Sequence, residues 1–174
     1  MIAEDGWHRY TCEIATMPGG GEKETARHFG TMGEPVMLAK GGYHARVRES
    51  NADGSVVMTS IFDTGLQPVT DKDGVHSYRG TWKDGNEVKR EFFDARLKPC
   101  DLGGYAAFAK EFDPAKRCTR ICYLDASGRP ATGPGGFHRQ TLDYTEEGRV
   151  IEYAHFDKDG KPCRDKDGNY RYGN

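Results

Sequence analysis

The sequence predicts an all-β fold: about five tandem β-hairpin repeats of about 32 residues, stacked as an elongated solenoid-like array. Three observations predict it. An apolar residue, usually followed by Asp, precedes a Pro by six positions five times: Phe29/Pro35, Phe62/Pro68, Phe93/Pro99, Leu124/Pro130 and Phe156/Pro162. A Gly follows each Pro, at Gly42, Gly74, Gly104, Gly136 and Gly168. From that Gly to the next closing apolar residue run two segments of period-2 pattern around a turn, and no segment carries a convincing helical period.

The elements follow in order. Residues 5–14 begin inside a repeat, with His8, Tyr10, Cys12 and Ile14 on one strand face, expected to be half-buried; Pro18-Gly19-Gly20-Gly21 turns the chain and 22–29 pairs back. Hairpins then recur at 43–50/55–62, 75–82/87–93, 105–112/117–124 and 137–144/149–156, turned at Asp53-Gly54, Asp84-Gly85, Asp113-Pro114 and Glu147-Gly148. Asp-Gly between apolar runs signals a hairpin because Gly tolerates positive φ. The step from Gly to closing residue is 20, 19, 20 and 20 residues, and 23 in the first copy, where the Gly-rich turn absorbs the excess. The traced faces give one apolar, aromatic-rich side per hairpin, with Tyr43, Ala45 and Val47 on the opposite parity. The repeats are 6–41, 42–73, 74–103, 104–135 and 136–167, with a half copy at 168–174, all in one domain, 1–174. The chain starts and stops in one phase, Asp5-Gly6-Trp7 against Asp167-Gly168-Asn169, so the alternative is a closed five-bladed propeller-like ring.

Composition fits a thin core: 36% hydrophobic residues against 30% charged, with net charge −2. That balance lacks the basic stripe of a nucleic-acid binder. No run of 18 apolar residues spans a membrane. Met1–Gly6 has neither the basic nor the apolar region of a leader, so a cytoplasmic location is expected; the alternative is an extracellular chain whose leader has been removed. The odd set Cys12, Cys100, Cys118, Cys122 and Cys163 is no disulfide framework, and Cys100 and Cys163 read as small apolar fillers after the repeat Pro.

Three groups are candidates for chemistry. His8, His44, His76 and His138 share one repeat position, and His28 and His155 another; they read as rungs stacked on the aromatic face and bonded to backbone, with a metal-binding ladder as the alternative. Asp157, Asp159, Asp165 and Asp167 lie in Asp-Lys-Asp-Gly phrases that resemble the start of a calcium loop. No Glu follows twelve positions on, a lysine divides each pair, and turn chemistry alone explains Asp-Gly, so no cofactor or metal is expected. Trp7, Tyr43, Tyr105 and Phe137 recur after the repeat Gly, and Trp82, Phe112 and Tyr144 near the end of the first strand. Core is the plainer reading of each set; an exposed set would be a platform for sugars or a strip for a protein. No nucleophile elbow, phosphate loop or zinc-protease motif occurs.

Tyr78-Arg79-Gly80-Thr81-Trp82-Lys83-Asp84-Gly85 resembles a MORN repeat, and Tyr144-Thr145-Glu146-Glu147-Gly148-Arg149-Val150 is similar to the YD (RHS-type) bacterial hairpin repeat. The resemblance implies a binding or scaffolding repeat with no catalytic residues to carry over. The expected function is a non-enzymatic module that binds another protein, with end-to-end self-association through bare end strands as a further contact. The alternatives are a carbohydrate- or cell-surface-binding module with an aromatic ladder, and a hydrolase with a carboxylate pair that nothing singles out.

Overall fold

The computed structural model describes residues 6–169 and the backbone of 171–173. Asp5 of the Asp5-Gly6 pair, Tyr170 and the side chain of Tyr172 lie outside the described residues. The strands are β1 (Arg9–Thr16), β2 (Glu22–Phe29), β3 (Ala45–Ser50), β4 (Val56–Phe62), β5 (Ser77–Lys83), β6 (Asn86–Phe93), β7 (Ala107–Phe112), β8 (Cys118–Leu124), β9 (Arg139–Tyr144), β10 (Val150–Phe156) and β11 (Arg171–Gly173). The described residues hold no helix.

Strand order in the sheet is chain order, β1 to β11. The sheet is therefore open, with β1 and β11 at its edges, and the ring alternative does not hold. Neighbours run antiparallel, with Arg9 opposite Phe29 in β1–β2 and Ala45 opposite Phe62 in β3–β4. The chain forms two compact units, Met1–Gly80 with Phe92–Cys100, and Thr81–Glu91 with Asp101–Asn174.

The six-residue step is a built connector. In each copy the Pro forms a lone bridge to the closing residue, Phe29 to Pro35, Phe62 to Pro68, Phe93 to Pro99, Leu124 to Pro130 and Phe156 to Pro162. The next residue then donates its N–H to the carbonyl one before the closing residue, as Val69 does to Ile61 at 3.3 Å and Ala131 to Tyr123 at 3.0 Å. Pro has no N–H to give and its φ is fixed, so it suits the position that needs direction without a donor.

One five-residue turn recurs at connector corners and hairpin tips. At Asp94–Lys98, the Asp94 N–H donates to the Lys98 carbonyl and the Leu97 N–H to the Asp94 carbonyl, both at 2.9 Å. The Asp94 carboxylate accepts from the N–H groups of Arg96 (2.8 Å) and Lys98 (2.9 Å). Asp63, Asp71, Asp125, Asp157 and Asp165 repeat this arrangement. The fourth residue of the turn has positive φ, and Gly fills it at 20, 33, 54, 74, 128, 136, 148, 160 and 168. Gly adopts that conformation without a Cβ clash.

Burial is graded along the strands, which differs from the expected one apolar face per hairpin. Near the connectors, adjacent residues on opposite faces are buried together: His44 with Ala45, His76 with Ser77, Ala106 with Ala107. Near the tips, Ile14, Val150 and Ile151 are exposed. The connectors fold back only over one end of each hairpin, so only that end has a core. The opposite parity of Tyr43 and Ala45 follows from this, because both sides are covered there. On β1 the face of Tyr10, Cys12 and Ile14 is exposed, where a half-buried strand is expected; this edge strand has one neighbour to lean on.

Candidate functional site

Three of the six histidines, His44, His76 and His138, hold connectors. His28 Nδ1 meets the His44 carbonyl at 2.9 Å, buried His155 Nδ1 has no hydrogen-bond partner among the described residues, and His8 is exposed. His76 Nδ1 lies 3.0 Å from the Val69 carbonyl, His44 Nδ1 3.2 Å from Val36, and His138 Nδ1 2.8 Å from Tyr123 and 3.3 Å from Ala131. A carbonyl only accepts, so each Nδ1 carries the proton. His44 sits edge-on to Phe29 and His76 to Phe62, both with centroids 5.4 Å apart. The fourth copy has Ala106 at this position. On the connector of the third copy the Cys100 thiol donates to the Gly74 carbonyl at 3.2 Å. Among the described residues no cluster of three His, Cys, Asp or Glu is arranged around a metal position.

The first aromatic set is packed into columns beside the penultimate strand residues. In the first unit, Trp7 and Tyr43 meet the His28 ring at 5.7 and 6.1 Å. In the second, Tyr105 meets Tyr123 at 5.0 Å, Tyr123 meets Phe137 at 6.0 Å, and Phe137 stacks on His155 at 4.1 Å. Phe137 is buried; Trp7, Tyr43 and Tyr105 are half-buried. The second set lies at the tips. Trp82 is half-buried on β5, and Tyr144 donates its hydroxyl to the Cys118 carbonyl at 2.7 Å beneath the Arg117 guanidinium. Phe112 lines a cleft described below.

Of the four aspartates in the calcium-like phrases, Asp157 and Asp165 turn one carboxylate oxygen onto two backbone N–H groups of their own turns, at 2.8–3.0 Å. Asp159 and Asp167 are exposed. The same backbone bonds, from Lys98 to Asp94 and from Arg129 to Asp125, hold those two carboxyls below the usual aspartate range. Burial raises the thiol pKa of Cys118, Cys122 and Cys163, which suits packed rather than reactive thiols.

Departures from the repeat mark two surfaces that the sequence pattern alone does not single out. At the glycine position of the five-residue turn stand Leu66 (φ 60°), Leu97 (φ 59°) and Lys116 (φ 62°). A left-handed conformation costs a side-chain-bearing residue about 1–2 kcal/mol. The two leucines are 51% and 61% exposed, so little burial offsets that cost, and Met32, at the corresponding corner of the first copy, is 92% exposed. Aligning the turns by their leading Asp would have revealed the Leu-for-Gly exchange; it is the one signal available in the sequence.

The second surface is a cleft of about 490 Å³ where two hairpin tips of the second unit meet. The 19-residue copy ends in a two-residue turn, Asp84-Gly85, with both φ positive (52° and 78°). The next tip uses the five-residue turn Asp113–Arg117. Val88, Phe112 and Pro114 supply apolar walls, and Lys83, Lys110 and Lys116 supply amines. No family model matches the chain, and no curated protein matches it.

Proposed function

We propose that the chain is a non-enzymatic binding module for another protein, which docks on the connector corners of the first unit. The observation that supports this reading is the pair Leu66 and Leu97, large apolar side chains exposed at strained positions that sibling copies give to Gly. Backbone strain that packing does not repay points to function. Corresponding corners of successive hairpins are two strand spacings apart, roughly 10 Å. An extended segment advances about 3.3 Å per residue, so apolar residues three apart would meet successive corners. Arg96 and Lys98 flank Leu97 and favour an acidic partner.

Side-by-side capture with immobilised wild-type chain and a Leu66→Gly/Leu97→Gly variant tests the reading. A protein held by the first and lost by the second, at equal melting temperature, supports it. Equal retention of every captured protein refutes docking at the corners. Substrate turnover abolished by changing one Asp or Glu refutes the non-enzymatic reading.

A further inference from the structure

We infer that the tip cleft of the second unit binds a carboxylate-rich peptide segment, at a surface separate from the leucine corners. Six charged side chains line the cleft, and their pairing is lopsided. Glu111 is taken by Arg120 at 2.8 Å and Asp113 by Arg117 at 2.7 Å. Lys83, Lys110 and Lys116 make no ion pair among the described residues; Lys110 Nζ rests over the Phe108 ring at 4.8 Å. Two of the three lining carboxylates are thus neutralised by arginines, which leaves three lysines against Asp84 in the charge balance of the lining. The chain carries a net charge of −2, so this positive spot opposes the overall balance.

Lys116 is held where its copies have Gly54 and Gly148, at a left-handed φ. Its amine reaches across to the neighbouring tip: a Cβ placed on Gly85 would lie 3.7 Å from Lys116 Nζ. The lining that carries these lysines also holds the apolar residues Val88, Phe112 and Pro114. That combination matches a segment with an apolar side chain between acidic ones. The volume falls within the range of ligand clefts, about 300–1,000 Å³.

The test is fluorescence anisotropy on the full chain with a labelled hexapeptide of alternating glutamate and leucine. Saturable binding that weakens with salt is expected. The triple variant Lys83→Gln/Lys110→Gln/Lys116→Gln should bind about tenfold more weakly, because it removes three surface charge contacts. The control Lys158→Gln/Lys161→Gln/Lys166→Gln removes the same charge at exposed sites and should leave affinity within about twofold. Lys116→Gly alone, which restores the sibling residue, should weaken binding without lowering the melting temperature. Equal losses in both triple variants, no saturation at millimolar peptide, or tighter competition by an oligogalacturonate than by unlabelled peptide would each overturn the inference. Loss of the corner-docking partner leaves this result untouched, because the leucines stay wild type.

Discussion

Replacing His76 by Ala tests the connector latch. His76 is 4% exposed, donates to the Val69 carbonyl at 3.0 Å and meets the Phe62 ring edge-on. Losing the hydrogen bond, and leaving a carbonyl short of its donor, costs about 1 kcal/mol. Losing the ring contact costs about 1 kcal/mol, and the vacated volume about 1 kcal/mol more. The expected loss is about 3 kcal/mol, or a fall in melting temperature of about 6–12 °C for a chain of this length. His76→Gln restores a donor without the ring and should recover about 1 kcal/mol. Urea unfolding of the three proteins gives the free energies, and amide exchange at Val69 and Asp71 should rise in the Ala variant. A loss below about 0.5 kcal/mol, or Gln no better than Ala, would refute the latch.

Other expectations concern the turns. Asp94→Ala removes the acceptor of two backbone N–H groups and should lower the urea midpoint, while Asp94→Asn, which keeps an acceptor oxygen, should lower it less. The Asp94 and Asp125 carboxyls have folded pKa values below their unfolded ones. Their contribution is complete above the unfolded value of about 3.9 and is lost as pH falls through the folded value, so stability should drop from about pH 4 downward and drop less in Asp94→Ala. Gly21→Ala would drive a Cβ into the Ser50 carbonyl oxygen, a backbone atom, and should cost about 1–3 kcal/mol by urea unfolding. Gly128→Leu, with open space around it, should cost only the strain, about 1–2 kcal/mol.

The architecture was legible because its signals are local. The Asp-to-Pro spacing and the glycines specify turns, and period-2 runs specify strands, so the hairpins stand where the pattern puts them. Strands following the repeat Gly begin later than the pattern suggests: Tyr43 and His44 precede β3, because the His44 N–H is used to close on the Phe62 carbonyl before the ladder starts. Burial was less legible. An alternating pattern assigns faces, whereas the covering here comes from connectors at one strand end. The reading of the histidines as backbone-bonded rungs fits His28, His44, His76 and His138, whereas buried His155 Nδ1 has no hydrogen-bond partner among the described residues. The acceptor, the carbonyl after the Pro for His44, His76 and His138, depends on how the connector folds back. The leucine corners and the lysine cleft were invisible to motif reading, since their information is a missing glycine and a tip one residue shorter than its siblings.

The central claim is that the repeated phrase is scaffold and its costly departures are kept for binding. Thermal melting of Leu66→Gly/Leu97→Gly/Lys116→Gly tests it most directly. Strain relief of about 1–2 kcal/mol per site should match or exceed the added unfolded-chain entropy of about 0.4–1 kcal/mol and the small burial lost. The expected melting temperature is equal to or above that of the wild type. A fall of several degrees would show that these side chains hold the fold together and would contradict a binding role for them.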